Sequence, residues 1–233
     1  MKKVLLMLLI LFFLYGCSFN KQTEVVNNEN KNQAPPEKKE IPLNVVVPEV
    51  HDDDHILGNE NAPVTIIIYS DFQNPFAAKF SGKDGSLEKA KAEFGDKLKI
   101  VFRHYPQVSI NSLAETSAEF SECASEQNKF WEMHDKLFEN NINNKFTLEQ
   151  FIKNVEELEL DTEKFNSCLN TNKYQEKIKE AVKNAETIGL RGTPTLFING
   201  RHVVGALPYG DYASEFGEEK GLRSIIQQVT NNK

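Results

Sequence analysis

The run from Val64 to Tyr69, Val-Thr-Ile-Ile-Ile-Tyr, constrains the fold more than any other part of the sequence. It is β-branched and apolar without alternation, which is typical of a strand buried on both faces within a helix-covered parallel sheet. Leu98 to Arg103 has the same character, and the pattern between the two runs predicts a helix from Pro75 to Phe94. The order strand, helix, strand predicts a parallel pair with a right-handed crossover.

The spacing of apolar residues becomes helical from about residue 110 to about residue 190, so we predict an all-helical insertion there. Strand character returns at Thr195 to Ile198 and at His202 to Val204. The dipeptide Asn199-Gly200 between them is a strong hairpin signal. A closing helix is expected at about Leu222 to Val229. The chain is therefore predicted to be an α/β protein.

Three separated stretches carry a family resemblance. They are DDDHILGNENAPVTIIIYSDFQNPFAAKF (52–80), ECASEQNKFWEMHDKLF (122–138) and GLRGTPTLFINGRHVVGA (189–206). In this order and spacing they resemble the DsbA-like thioredoxin domains, a family of bacterial thiol-disulfide oxidoreductases. The resemblance implies a thioredoxin fold (β-α-β, helical insertion, β-β-α) over residues 51–233.

The sequence departs from this family where its reaction takes place. Asn74-Pro75-Phe76-Ala77 stands where the family has Cys-Pro-Phe-Cys. Thiol-disulfide exchange needs an attacking thiolate, so we predict no catalytic residue at Asn74 or Ala77. Asn is a good N-cap and Pro is favoured at the first helical position, so the helix start should persist. Native residues and engineered replacements of two cysteines are both compatible with the sequence.

A second family feature is retained in Gly192-Thr193-Pro194. It is similar to the cis-proline loop, which the resemblance places opposite the start of the first helix. A cis Thr193-Pro194 bond would turn backbone toward an extended peptide that adds to the sheet edge. With Phe76 these residues are the predicted peptide-binding site, and the alternative is a loop kept for packing alone.

Cys123 and Cys168 both fall in the helical insertion, each on an apolar face. In an oxidising compartment they would be expected to pair, and similar proteins carry cysteines at matching points, which implies a structural disulfide. Two alternatives stay open: a pair that has taken over the redox role, and two buried free thiols.

The N-terminus has the pattern of an export signal. Met1 to Gly16 combines a basic start with an apolar run too short to span a bilayer comfortably. Leu14 to Cys17 resembles a bacterial lipobox, so we predict lipidation of Cys17, a membrane attachment and a disordered tether over residues 17–50. A plain signal peptide with an incidental cysteine is the alternative. The net charge of -7 gives no electrostatic case for nucleic acid.

Other candidate sites are weaker. The run His51-Asp-Asp-Asp-His55 has metal-ligating residue types, but we predict no metal site there and no cofactor. His134 lies at core spacing in a helix and is interpreted as a hydrogen-bonded histidine rather than a catalyst. Tyr69, Phe76 and Tyr209 are candidates for an apolar groove, although aromatic residues of this fold are usually in the core.

These observations favour a redox-inactive, membrane-anchored binding protein for exported, extended polypeptides. One alternative is a protein disulfide oxidoreductase, through engineered positions 74 and 77 or through Cys123 and Cys168. Another is a structural lipoprotein of the bacterial envelope. The localisation expected in each case is the extracytoplasmic face of a bacterial membrane.

Overall fold

The computed structural model describes residues 45–231 and contains a five-stranded mixed sheet. The strand order is β1-β3-β2-β4-β5, with bounds β1 His55–Gly58, β2 Val64–Ser70, β3 Leu98–His104, β4 Thr195–Ile198 and β5 Arg201–Val204. β2 and β3 are parallel, and the other three pairs are antiparallel. A separate hairpin, β6 Tyr212–Ser214 and β7 Gly217–Glu219, lies near the C-terminus.

The central strand is β2, as its composition predicted. It pairs with β3 on one side and β4 on the other, and all its residues but Thr65 are buried. The hairpin between β4 and β5 turns at Asn199 and Gly200, whose φ angles are +45° and +85°. Such a pair of positive φ angles is what a two-residue type I′ hairpin requires.

The single helix predicted from Pro75 to Phe94 is wrong, because the structure has two, α1 Pro75–Ser81 and α2 Ser86–Phe94. The break lies at Gly82 to Gly85, where the backbone folds back on itself. A Cβ atom on Gly85 would lie 2.3 Å from the Phe80 carbonyl oxygen, and one on Gly82 would lie 2.3 Å from Ile142 Cδ1. The turn between the two helices therefore needs glycine at both positions, because neither has room for a side chain.

Five helices lie between β3 and β4, which confirms the helical insertion. They are α3 Ala114–Ser125, α4 Phe130–Ile142, α5 Leu148–Glu157, α6 Thr162–Asn170 and α7 Gln175–Thr187. The closing helix, α8 Leu222–Asn231, packs with α2 against apolar residues of β2, β3 and β4. Within residues 45–231, none of the helices has the length and apolar character needed to cross a membrane.

Trp131 lies at the boundary between two hydrophobic cores. One core joins the helical insertion to the sheet through residues such as Phe72, Phe102 and Phe138. The other joins β2 and β3 to α2 and α8, and the indole packs against both. Its Nε1 donates to the Ile56 carbonyl oxygen at 3.1 Å, which fixes the ring against the edge strand β1.

The end of the predicted tether, residues 45–50, packs on the domain instead of extending from it. Val45 and Val50 pack against the core that contains Tyr69 and Phe197. The Val46 amide donates to the Ile188 carbonyl oxygen at 3.2 Å. The predicted signal peptide (1–16), the lipidation site Cys17 and the rest of the tether lie outside the described residues.

Candidate functional site at the start of the first helix

The site is built around Asn74, which caps the N-terminus of α1. Its Oδ1 accepts from the backbone amides of Phe76 at 2.8 Å and Ala77 at 3.2 Å. Pro75 follows at the first helical position, where its missing N–H costs nothing. The capping predicted from the sequence is confirmed.

The other end of the same amide holds the loop before β4. Asn74 Nδ2 donates to the Thr193 carbonyl oxygen at 3.0 Å and to Thr193 Oγ1 at 3.1 Å. The Thr193-Pro194 peptide bond is cis, and Thr195 Oγ1 ties the loop by donating to the Gly192 carbonyl oxygen at 2.7 Å. The predicted neighbours, 119 residues apart, therefore meet through direct hydrogen bonds.

The side chain at position 77 is the methyl group of Ala77, which carries no reactive atom. Ala77 is fully buried against the core below α1, so its side chain packs rather than reacts. Asn74 has all four of its short contacts directed at backbone and hydroxyl groups of the fold. This arrangement orders two loops, but it offers no sulfur to attack a disulfide.

Three exposed apolar side chains, on α1 and on the loop after β3, are called the apolar rim here, and the sequence predicted only the first of them. Phe76 is 64% exposed, and Val108 and Ile110 in the loop after β3 are 59% and 76% exposed. The only signal for the last two in the sequence was a pair of apolar residues in an otherwise polar turn. Single exposed apolar residues are common in folded proteins. The loop that carries Val108 and Ile110 is tied to the segment before α1, because Asp71 hydrogen-bonds to the residues on either side of them.

Asp71 ties that loop to the segment before α1. Its carboxylate accepts from the Gln107 amide at 3.0 Å, from Asn111 Nδ2 at 2.6 Å and from the Gln73 amide at 2.8 Å. Burial raises the pKa of Asp71, although these hydrogen bonds oppose the shift. Sequence reasoning missed Asp71, whose partners are mostly distant in the chain.

A groove of about 600 Å³ continues from the start of α1 along the end of α4. Pro75, Lys79 and Ile142 are among its lining residues, and the Ile142 side chain is about half exposed. Asp84 and Glu139 also line it, so the groove that begins at Pro75 offers apolar, basic and acidic groups.

The two tyrosines predicted as groove candidates lie elsewhere. Tyr69 is buried in the sheet, where its hydroxyl accepts from Arg103 and its ring contacts Phe197 edge to face. The Tyr209 hydroxyl donates to Glu93 on α2. Of the three aromatic candidates, only Phe76 faces solvent at the site.

Cys123 on α3 and Cys168 on α6 form a disulfide in the structure. The two cysteines are only 2% and 4% exposed and lie in the core of the helical insertion. An exchanging disulfide must be reached by an attacking thiolate, so this burial argues against a redox role for the pair.

The histidines of the acidic run separate in the fold. Asp54 accepts two hydrogen bonds from Arg103, both at 2.7 Å, while His55 turns inward to Glu122. His51 stays exposed and contributes its backbone amide to Asp54. The run therefore leads into strand β1, and its two histidines have different hydrogen-bond partners.

His134 is buried on α4, and its Nδ1 lies 2.8 Å from Asp135 Oδ1. Burial lowers the pKa of His134, so the ring is neutral at physiological pH. Its contacts are aromatic rings of the core, including Phe72 and Phe138. These features fit the interpretation of a core histidine.

Comparison with known proteins agrees with this geometry. A family model described as "Thioredoxin" matches residues 51–214. A Na(+)/H(+) antiporter NhaA 1 of Mycolicibacterium vanbaalenii is 30% identical over 196 residues, which are 83% of this chain but only 30% of the antiporter's length. Most of that relative therefore lies outside the match.

Two solved structures share the fold. Oxidised BdbD from Bacillus subtilis superposes with a TM-score of 0.63 at 18% identity, covering 76% of this chain and 93% of BdbD. The thiol-disulfide exchange protein alpha-DsbA2 from Wolbachia pipientis gives 0.61 at 18% identity, with coverage of 77% and 87%. A cis-proline loop contacts the start of the first helix, and a family model matches most of the chain's length, so the chain belongs to the thioredoxin family.

Proposed function

We propose that this chain is an exported, lipid-anchored protein that binds extended or unfolded polypeptides at its cis-proline face and does not exchange disulfides there. The observation that carries the proposal is the side chain of Asn74, which joins the start of α1 to Thr193 in the place where the resemblance puts the attacking cysteine. Export and anchoring rest on the leader pattern that ends at Cys17.

The absence of sulfur supports loss of the family reaction. Exchange proceeds through a mixed disulfide, and neither the amide of Asn74 nor the methyl group of Ala77 can form one. Cys123 and Cys168 are occupied with each other inside the helical insertion.

The apolar rim supports peptide binding. Phe76 and Ile110 expose large side chains, and burying one such side chain stabilises a complex by about 1.5–3 kcal/mol. The bound peptide must share the Thr193 carbonyl with Asn74 or use other backbone groups of the loop, since Asn74 already donates to that oxygen. Side-chain contacts on the rim are therefore expected to provide most of the affinity.

Binding can be measured by fluorescence anisotropy with a labelled, permanently unfolded polypeptide. We expect Phe76→Ser and Ile110→Ser each to weaken binding at least ~10-fold, the equivalent of about 1.4 kcal/mol. Ile152→Ser is the matched control, because Ile152 is 51% exposed on α5, an element that contributes none of the site residues described above. No affinity in the parent protein, or an equal loss in the control, would overturn the proposal.

The loss of exchange is tested by restoring sulfur. The parent chain is expected to show no turnover with a model disulfide substrate, whereas Asn74→Cys combined with Ala77→Cys is expected to gain dithiol activity. The helix N-terminus would then stabilise a thiolate with the amides that Asn74 now caps. Cysteine-dependent turnover by the parent chain would show that the protein is instead an oxidoreductase.

A further inference from the structure

Three metal-ligating side chains converge in a place that the proposed function does not use. His55 Nε2 lies 2.9 Å from Glu122 Oε1, and His104 Nε2 lies 3.2 Å from the same oxygen. One donor atom from each residue lies within 4.8 Å of the other two. The side chains of His104 and Glu122 are buried, with 5% and 1% exposed, and that of His55 is partly buried, with 16% exposed.

The strand register explains why the two histidines meet. His55 is paired with Phe102 across the antiparallel β1–β3 ladder, so both side chains point to the same face of the sheet. His104 lies two residues beyond Phe102 on β3 and shares that face. α3 covers this face and brings Glu122 onto both rings.

The separations suit a metal ion. Around a tetrahedral zinc ion with bonds of about 2.0–2.1 Å, ligand atoms are about 3.3 Å apart. The two separations from Glu122 Oε1, 2.9 Å and 3.2 Å, differ from this value by less than about half an ångström. Small side-chain shifts would therefore open the cluster around an ion.

We propose that His55, His104 and Glu122 bind one divalent transition metal ion of the zinc class. Two imidazoles and one carboxylate are a ligand set that zinc uses when a fourth position stays open. Calcium and magnesium prefer shells of oxygen atoms, so two ring nitrogens select against them.

The surroundings hold these ligands in orientation. Lys177 Nζ lies 3.0 Å from Glu122 Oε2, which leaves Oε1 for the metal and fixes the carboxylate plane. The His55 ring stacks on Phe130 with centroids 3.4 Å apart and an interplanar angle of 8°. Because the Lys177 side chain is 38% exposed, solvent screens its repulsion of a bound cation.

An entry path reaches the cluster from the surface. A cavity of about 420 Å³ is lined by His55 and His104 together with Asp53, Asp54 and Lys177. The open coordination position would face this cavity and take water or a small anionic ligand. The carboxylates of Glu49, Asp53 and Glu180 line the same cavity and would attract an incoming cation.

The site is tested by titrating Zn²⁺ alone into the untagged full-length protein in a calorimeter. We expect one ion per chain with a micromolar or tighter dissociation constant, and at least ~10-fold weaker binding for Glu122→Gln and for His55→Ala. His202→Gln on β5 removes a histidine outside the cluster and should leave the affinity unchanged. No binding, or binding that survives both ligand variants, overturns the proposal.

A second measurement needs no variant, in case a substitution prevents folding. Zn²⁺ should shift the imidazole NMR signals of His55 and His104 among the five histidines and leave those of His134 and His202 in place. Co²⁺ should give the visible absorption of a four-coordinate site, and Ca²⁺ should change neither signal. Shifts confined to other histidines would contradict the site.

Discussion

At position 74 one amide side chain satisfies two donors of α1 and two acceptors of Thr193. The residue type alone predicted the capping half of this arrangement, because Asn before Pro is a strong helix start. The bridge to Thr193 depends on chain segments 119 residues apart, so spacing in the sequence carries no signal for it. Only the family resemblance indicated that the two loops meet.

Replacing Asn74 measures this bridge. Asn74→Ala should lower the free energy of unfolding by about 1–3 kcal/mol, since both the cap and the contacts to Thr193 are lost. Asp161→Ala on α6 is the control, because Asp161 also caps two amides but ties down no distant loop through its side chain. Urea denaturation should show the larger loss at position 74, and an equal or smaller loss would contradict the bridging role.

The carboxyl group of Asp71 should titrate above its ordinary pKa of 3.8, because burial disfavours the charged form. The folded chain then holds this proton more tightly than the unfolded chain does. The stability that Asp71 contributes is therefore fully present below pH 3.8 and is lost as pH rises through the raised folded pKa. NMR titration of the carboxyl carbon checks this, and a midpoint at or below 3.8 would contradict it.

Among the elements, those with strong patterns were predictable. β2, β3, the hairpin at Asn199 and Gly200, and the helical insertion all appear where composition and periodicity placed them. β1 was missed because, unlike the equally short β4 and β5, it has no hairpin signal beside it. β6 and β7 were missed because they have three residues each with mostly polar side chains. Strands this short are set by pairing with a neighbour rather than by their own pattern.

The tight packing of the turn between α1 and α2 can be tested by substitution. Gly85→Ala should lower the free energy of unfolding by about 1–3 kcal/mol, since the new methyl group would meet backbone atoms of Phe80 and Gly82 that cannot move aside. Gly210→Ala is the control, because a Cβ there meets no heavy atom within 4 Å. Thermal unfolding of the two variants gives the comparison, and a neutral Gly85→Ala would show that the turn is not tightly packed.

At the scale of the whole molecule, the fold could be predicted well and the polar clusters poorly. The acidic run drew attention to His51 and His55 as a pair, yet the partners of His55 are Glu122 and His104, from α3 and β3. Tertiary packing decides which polar groups meet, and one sequence does not encode that in local spacing. The apolar rim was predicted only in part for the same reason, as Phe76 without Val108 and Ile110.

The disulfide joins α3 to α6 within the insertion and should support the whole fold. Replacing both Cys123 and Cys168 by Ala should reduce the free energy of unfolding by up to about 4 kcal/mol, since the unfolded chain regains the freedom of the closed loop. Reductant should destabilise the parent chain in urea denaturation but leave the double variant unchanged. A loss below about 1 kcal/mol would show that the bridge adds little.

The indole of Trp131 is the only one in the chain, and it rests where the inserted helices meet the sheet. Tryptophan fluorescence therefore reports only on the boundary between these two hydrophobic cores. The ring also lies edge-on to Phe130, on which His55 stacks. An emission change without loss of secondary structure would thus reveal movement at that boundary, so Trp131 can serve as an intrinsic fluorescent probe without any labelling.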